Sequence, residues 1–388
     1  MNIGFYIDEM NFRGVANSSY LYALNNIKIF KNKSIIFYNK KNFRNRSEVI
    51  KKFKKKFISI GVSNFDEIDS YKEKFNLDFL YIQKSGDKDN WISKNIKTLV
   101  HAVYPQKLNQ LHGYSYAYIS EWLSCKFSNN KIPFVSLITE NKNIKSNFRN
   151  KLKIKKNKLI LGSHGGESSF DMKFIQSAVL NTVKKRKDIY FLFLNIKKFC
   201  KHPRVIFLKG TSNEFYKEKF LNTCDAMIYG RSLGESFGLA CGEFAIKYKD
   251  IISYKFNRHR AHCYNISPKN FIEYYSYNSL VQIILNFKKK LINNQNRYKG
   301  YSKNKVILQF SKIFLKKNQN IHISFKDYLK NYQSFLKMGY YYLRHKVYVY
   351  YFSYFETRFF KRRVKWKLFK KLSQNFKFKL NKQLFFTK

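Results

Sequence analysis

The sequence predicts an α/β protein with two facing parallel-sheet domains, and two observations lead to this prediction. Short apolar runs alternate with longer amphipathic segments, which is the pattern of strands and helices in a parallel sheet covered on both faces. The alternation stops at the polar, lysine-rich residues 140–157 and then starts again. A chain of 388 residues is also long enough for two domains of ordinary size and an extension.

The first half of the chain supplies an N-terminal domain, which we place at residues 1–145. Residues 18–29 carry Tyr20, Leu21, Leu24 and Ile27 near helical spacing and predict a helix. Short apolar runs predict strands at residues 3–7, 34–38, 78–82, 98–102, 116–119 and 134–137.

The second half repeats the pattern and predicts a second domain at residues 146–302. A strand at residues 158–162 leads into the glycine-rich turn Ser163-His164-Gly165-Gly166. Further strands are predicted at residues 189–194, 204–208, 226–229 and 251–254, and helices at residues 170–184, 213–222, 239–247 and 277–291. A helix at residues 303–316, within a segment 303–330, is expected to cross back to the first domain.

Residues 331–388 form a basic, aromatic tail that we expect to be helical and to lie outside both domains. The tail holds 15 lysines and arginines but one acidic residue. Such a segment, for example residues 361–367, can lie on an anionic membrane with its aromatic rings at the interface. It can also bind nucleic acid through phosphate contacts and stacking, or be a solvated lysine-rich helix pair.

The composition constrains the class of protein but not the partner. The formal net charge is +52, which fits a polyanionic partner and equally fits AT-rich coding, since Lys, Asn, Ile, Phe and Tyr are all abundant. Five scattered cysteines without a CxxC pair indicate reduced thiols rather than disulfides or zinc. No secretory signal and no apolar run of ~20 residues is visible. We therefore expect a cytoplasmic protein, either free or peripheral at the inner face of a membrane.

Residues 224–243 contain the motif most typical of a binding site. They predict a strand ending at Tyr229, a glycine-containing loop, and a helix that starts near Gly238. Free backbone N–H groups at a helix start bind phosphate, and the carboxylates of Glu235 and Glu243 can accept hydrogen bonds from vicinal hydroxyls of a sugar and a ribose. The alternative is a surface helix with two solvated glutamates.

Residues 235–243 read ESFGLACGE, which matches the pattern E-x-F-G-x(4)-E and resembles the retaining GT-B glycosyltransferases, in particular the GT4-like family. The resemblance implies two Rossmann-like domains with the active site in the cleft, an acceptor domain first and a donor domain second. It also implies that Glu235 contacts the transferred sugar and that Glu243 binds the ribose. The backbone of Phe237, Gly238 and Leu239 would then meet the sugar and the diphosphate.

Other positions resemble the family in chain order. Gly14 follows the first strand, where relatives bind donor phosphate, and Ser163, His164 and Gly165 open the second domain. His101 ends a strand where many relatives place a histidine beside the reacting sugar. The alternative for His101 is a strand-end histidine whose hydrogen bonds are made by the backbone.

One departure from the family concerns phosphate charge. Relatives usually have an arginine after the glycine at the position of Gly162 and a lysine a few residues later. Here Ser163 and His164 follow, and the next lysine is Lys173. Arg231 can supply the missing charge from the neighbouring loop, with an exposed structural arginine as the alternative.

The resemblance implies transfer of a sugar from a nucleotide-sugar donor to a glycan or lipid-linked acceptor, with retention at the anomeric carbon. No HExxH or DxD motif is present, so we expect neither a metal nor another cofactor. The rivals are a nucleic-acid-binding protein that uses the basic surface and tail, and a catalytically degenerate GT-B binding protein. Because such transferases often act on lipid-linked acceptors, we favour an anionic membrane over nucleic acid as the partner of the tail.

Overall fold

The computed structural model describes residues 1–140, 144–266, 271–289, 302–316 and 321–359. The chain divides into two compact units, residues 1–342 and residues 343–388. The first unit contains two six-stranded sheets, both of them parallel throughout. This arrangement confirms the predicted fold class.

The first domain is built on a sheet with the strand order β3-β2-β1-β4-β5-β6. Its strands are β1 (Asn2–Ile7), β2 (Lys33–Asn39), β3 (Ile58–Val62), β4 (Phe79–Lys84), β5 (Lys97–Ala102) and β6 (Ser115–Tyr118). Its α-helices are α1 (Gly14–Phe30), α2 (Ser47–Lys54), α3 (Lys72–Phe75) and α4 (Glu121–Ser128). Every residue of β4 is buried, as expected for a central strand covered on both faces.

The second domain repeats the design with the order β14-β12-β10-β7-β8-β9. Its strands are β7 (Leu159–His164), β8 (Ile189–Leu194), β9 (Val205–Leu208), β10 (Ala226–Ile228), β12 (Asp250–Tyr254) and β14 (Phe271–Tyr274), with a separate pair β11 (Gly234–Glu235) and β13 (His259–Arg260). Its helices are α5 (Lys173–Lys185), α6 (Glu214–Thr223), α7 (Leu239–Ala245), α8 (Ala261–Asn265) and α9 (Tyr277–Asn286).

Both sheets reverse their strand order beside their first strand. The reversal lies between β1 and β4 in the first sheet and between β7 and β10 in the second. In open parallel sheets the crevice outside the carboxyl ends of the strands at such a point is the usual ligand site. The topology therefore predicts a ligand site at the residues that follow β1, β4, β7 and β10.

One predicted strand, at residues 134–137, is not formed. Only an isolated bridge joins Phe134 to Tyr118. The backbone carbonyls of the segment are used by side chains instead: Tyr22 Oη donates to Ser136 O over 2.6 Å, and His101 Nε2 lies 2.8 Å from Val135 O. The apolar run is thus buried as an irregular segment, which apolar patterning does not distinguish from a strand.

The segment after the second domain packs against the first domain. The helix α10 (Lys303–Phe310) is followed by one π-helical turn, Ser311–Leu315. Phe310 is fully buried, and its ring stacks on that of Tyr22 with centroids 5.2 Å apart. Ser115 Oγ donates to Ile313 O over 3.0 Å. The chain thus returns to the first domain after completing the second.

The C-terminal extension is helical as far as it is described. The helix α11 (Phe325–Phe359) covers the start of the predicted basic tail, whereas residues 361–367 lie outside the described residues. Among the described helices, none is long and apolar enough to span a bilayer.

Phe310→Ala should lower the free energy of unfolding by about 3–5 kcal/mol, because it removes a fully buried ring and leaves a cavity. Urea unfolding measures this change. Leu308→Ala in the same helix is the control, since Leu308 is 58% exposed and its truncation should change stability by less than about 0.5 kcal/mol. Equal losses in the two variants would contradict the packing described for α10.

Candidate functional site

A cavity of about 500 Å³ lies where the carboxyl ends of the two sheets face each other within the first unit. This volume is in the range of pockets that bind small molecules. The residues after each reversal point contribute to its wall: Asp8, Glu9, Arg13 and Gly14 after β1, Lys84 and Ser85 at the end of β4, His164, Gly165 and Gly166 after β7, and Tyr229 and Arg231 after β10.

Two glycines shape the loop between β10 and α7. Gly234 has φ +75° and Gly238 has φ +91°, backbone conformations that glycine adopts without strain. A β-carbon at Gly234 would collide with the carbonyl oxygen of His259, and one at Gly238 would lie 2.5 Å from the β-carbon of His262. The glycines therefore allow β11 to pair with β13 and α7 to begin against α8.

Glu235 is held at the cavity wall by its own loop. Its Oε1 accepts a hydrogen bond from Tyr229 Oη over 3.0 Å, and its two oxygens lie 3.2 and 3.1 Å from Arg231 Nη1. The neighbouring carboxylate raises the pKa of Arg231. Glu235 therefore lines the cavity as the acidic partner of an ion pair. The guanidinium of Arg231 is the basic partner, so it is not an unpaired cation at the cavity.

Glu243 is a buried carboxylate at the same cavity. Its Oε1 accepts a hydrogen bond from Lys217 Nζ over 2.5 Å, and its Oε2 lies 3.0 Å from His164 Nε2 without hydrogen-bond geometry. Burial acts to raise the pKa of Glu243, but Lys217 and His164 outweigh it and lower the pKa to about 2. The carboxylate is therefore ionised at neutral pH with acceptor capacity left on Oε2.

The turn after β7 forms the floor beside Glu243. The ring of His164 stacks on that of Phe244 with centroids 5.9 Å apart. Asn195 Nδ2 donates to Gly165 O over 2.7 Å, and a β-carbon at Gly165 would lie 2.8 Å from Ser169 Oγ. Ser163, though it lines the cavity, is almost fully buried.

The segment after Glu235 connects the two domains. Ser120 Oγ, at the start of α4, donates to Ser236 O over 2.6 Å. Phe237 is buried in the core of the first domain, and Leu239 packs against the same core. Gly238 and Leu239 also line the cavity, so the predicted donor segment lies between the two domains.

His101 does not lie at the cavity, and the structure favours the alternative assignment. The side chain is fully buried in the first domain, with Nδ1 2.6 Å from Tyr81 Oη and Nε2 2.8 Å from Val135 O. Burial lowers the pKa of His101 to about 3. The strand-end position is as predicted, but the imidazole points into the core, where it bonds to the backbone of residue 135.

Besides Lys84, three cations at the cavity were not predicted from the sequence. Lys217 comes from α6, Lys52 from α2 and Arg13 from the start of α1. Lys52 Nζ lies 3.0 Å from Glu214 Oε1 of the other domain, and a β-carbon at Gly166 would lie 3.5 Å from Arg13 Nε. Burial and the charge of Lys217 lower the pKa of Lys52 to about 8. Positive charge thus enters the cleft from both domains.

The wall formed by the first domain has its own polar groups. Asp8 accepts hydrogen bonds from the amides of Asn39 and Asn42 over 2.9 and 3.0 Å. Lys84 is paired with Asp89, and its Nζ lies 2.9 Å from His112 Nε2. On the opposite wall His259 is buried, and its Nδ1 lacks a hydrogen-bond partner among the described residues.

The described residues contain no cluster of three or more histidines, cysteines, aspartates or glutamates that could hold a metal ion. The two acids of residues 235–243 are each paired with a cation: Glu235 contacts Arg231, and Glu243 contacts Lys217. This arrangement is suited to hydroxyl and phosphate groups.

No protein-family profile and no curated protein sequence matches the chain. Solved structures do match its fold. A glycosyltransferase from Rickettsia africae ESF-5 has a TM-score of 0.53 and 14% identity, covering 87% of this chain and 98% of that one. HepE from Anabaena, solved with UDP-glucose, has a TM-score of 0.54 and 10% identity, covering 87% and 99%. WaaG, a glycosyltransferase involved in lipopolysaccharide biosynthesis, has a TM-score of 0.50 and 10% identity, covering 73% and 89%.

The chain has the GT-B glycosyltransferase fold. In this GT-B fold the cavity lies in the cleft between the two Rossmann-like domains, and the segment 235–243 lies at that cleft. At these identities the similarity establishes the fold and leaves the chemistry to be argued from the residues.

The ion pair of Glu243 should make stability pH-dependent. Because its pKa in the folded protein is about 2, below the ordinary 4.5, the pair stabilises the fold above about pH 4.5, and this contribution is lost as the pH falls towards 2. The shift corresponds to about 3 kcal/mol. Urea unfolding between pH 6 and pH 3 should therefore show a smaller loss of stability in Glu243→Gln than in the native protein.

The exposed Glu73, whose side chain is 91% accessible, gives a matched control. Glu73→Gln should show the same pH dependence as the native protein. A native pH dependence in Glu243→Gln would show that the carboxylate is not held in this ion pair.

Proposed function

We propose that the protein is a retaining glycosyltransferase of the GT4 type, which transfers a sugar from a nucleotide-sugar donor to a glycan or lipid-linked acceptor. The observation that carries the proposal is that Glu235 and Glu243 line one cavity between the two domains. Both belong to the segment whose spacing resembles the donor motif of that family. A cytoplasmic location and independence of metal and other cofactors are parts of the proposal.

The two carboxylates suit two different diols of one donor. Glu235, beside Arg231 and Tyr229, would accept hydrogen bonds from hydroxyls of the transferred sugar. Glu243, whose Oε2 has no hydrogen-bond partner among the described residues, would accept from the ribose. Buried charged acceptors discriminate strongly against ligands that lack the matching donors.

The diphosphate would lie between three cations from other parts of the chain. These cations would replace the arginine and lysine that relatives have after the position of Gly162. Lys217, Lys52 and Arg13 line the cavity, and they come from both domains. Burial and, after it, the charge of Lys217 lower the pKa of Lys52, as expected for two ammonium groups that lie near each other. A bound diphosphate would relieve this repulsion, so it would stabilise the facing arrangement of the domains.

Retention at the anomeric carbon would depend on charges and dipoles that are already fixed in the donor and in the cleft. In the proposed reaction the leaving diphosphate stabilises positive charge that develops at the anomeric carbon, and fixed dipoles of the cleft add to this effect. The acceptor would enter along the wall of the first domain, where Asp8 and Glu9 line the cavity. His101 takes no part, because it is buried in the core.

A second candidate is a catalytically degenerate GT-B protein that binds a nucleotide sugar without turnover. The observation that favours it is that Glu235 is ion-paired with Arg231, so the carboxylate must exchange a cation for sugar hydroxyls. Release of sugar or transfer to an acceptor in vitro separates the two candidates.

The first experiment is a thermal-shift screen with UDP, GDP, ADP and their sugars. At least one nucleotide sugar should raise the unfolding temperature. For that ligand, Glu235→Gln and Glu243→Gln should each weaken binding or turnover by about 10- to 100-fold, since each removes a charged acceptor. Isothermal titration and turnover assays measure this loss, and Glu73→Gln is the control. Unchanged constants in both cleft variants would refute the site.

The proposed phosphate cations lead to a separate expectation. Lys52→Met and Arg13→Met should weaken binding of the nucleoside diphosphate by about 10- to 100-fold and binding of the free nucleoside much less. Titration calorimetry of the two ligands measures the difference. Lys303→Met, at a side chain that is 53% exposed and outside the cavity, should bind as the native protein does. Equal losses for diphosphate and nucleoside would contradict a phosphate role.

A further inference from the structure

One face of α11 carries a row of exposed apolar side chains, which we call the α11 stripe. Within the first unit it consists of Phe325, Leu329, Tyr332, Leu336 and Tyr340, whose exposed fractions range from 37% to 78%. Residues spaced by three and four positions lie on one face of a helix. The second unit, taken by itself, also has exposed apolar side chains, Leu343, Val347 and Tyr350, each more than half exposed.

The opposite face of α11 is fixed to the first domain. Asn331 Nδ2 donates to Phe127 O over 2.6 Å and to Gln106 O over 3.0 Å, and the rings of Phe335 and Phe127 are 5.1 Å apart. Met338 is buried. These contacts set the rotation of the helix, so the stripe cannot turn inwards to cover its apolar surface.

A basic flank runs beside the stripe. At about 100° per residue, Lys326, Lys330 and Lys337 lie on one side of it. Between residues 325 and 342 the one acidic residue is Asp327, which is buried and accepts hydrogen bonds from Ser324. This part of α11 therefore presents cations without exposed carboxylates.

We propose that the α11 stripe docks the protein on an anionic phospholipid bilayer, with the helix lying in the plane of the interface. The leucine and phenylalanine side chains would enter the boundary between headgroups and acyl chains, and the tyrosine hydroxyls would stay among the headgroups. The lysines of the flank would contact lipid phosphates, each contributing to attraction by a negative surface.

Two other occupants fit the stripe less well. A second copy packed stripe to stripe would bring two basic flanks together, whereas paired helices are stabilised by opposite charges beside their apolar seam. A single-stranded nucleic acid stacks its bases on successive aromatic rings along a positively charged groove, whereas leucines alternate with the aromatic rings of the stripe. The stripe lies outside the cavity lining, so the inference does not depend on the proposed function.

The test is cosedimentation of the full-length protein with vesicles of phosphatidylglycerol and phosphatidylcholine. Binding should be at least about 10-fold tighter than to pure phosphatidylcholine vesicles. The double variant Leu329→Glu/Leu336→Glu should reduce binding to the anionic vesicles by at least about 10-fold. The variant Lys330→Gln/Lys337→Gln should also reduce binding to the anionic vesicles, because it removes two cations of the flank and leaves the apolar side chains of the stripe unchanged.

The control is Leu308→Glu, which adds one of the two glutamates of the stripe variant at a leucine on α10 that is 58% exposed and should bind vesicles like the native protein. Unchanged unfolding temperatures show that the variants fold. The proposal is overturned if the stripe variant binds anionic vesicles as the native protein does. It is also overturned if Leu308→Glu loses as much binding, or if the stripe variant abolishes self-association or RNA binding instead of vesicle binding.

Discussion

The cleft depends on the neutralisation of buried acidic charge. From the residue before β10 to the middle of α7 the chain carries three acids, Asp225, Glu235 and Glu243, and each is paired with a cation. Arg149 Nη2 lies 2.8 Å from Asp225, Arg231 lies 3.1 Å from Glu235, and Lys217 lies 2.5 Å from Glu243. A buried carboxylate without such a partner costs several kcal/mol. The pairs therefore keep the segment folded and leave two of its carboxylates at the cavity.

The same charges link the two domains. The helix α2 of the first domain presents Lys52 to Glu214 over 3.0 Å, and Glu48 accepts hydrogen bonds from the backbone and hydroxyl of Ser212, both over 2.6 Å. These contacts border the cavity, so a ligand that binds the cations also acts on the contacts that hold the domains. Donor binding and domain arrangement are expected to be coupled for this reason.

The sequence was sufficient to predict what local patterns encode. Apolar periodicity predicted both sheets. The spacing of two acids and a glycine, together with its resemblance to a family motif, predicted a site at residues 235–243, and in the structure this segment lies at the cavity. Residues 134–137 were predicted as a strand, since an apolar run shows burial but not which groups bond to its backbone.

The cations of the cleft could not be predicted in this way. Lys217 and Lys52 are two among 76 lysines and arginines, and no local feature marks them. Their position depends on how α6 packs beside α7 and how α2 meets the other domain, which are properties of the tertiary fold. The inward orientation of the His101 side chain could not be predicted either, because it also depends on the tertiary fold.

The most direct measurement is a crystal structure of the protein with the nucleotide sugar that gives the largest thermal shift. We expect the sugar hydroxyls at Glu235, the ribose at Glu243 and the diphosphate among Lys217, Lys52 and Arg13. A nucleotide bound outside this cleft, or bound within it while both glutamates stay turned to their cations and away from the ligand, would contradict this expectation.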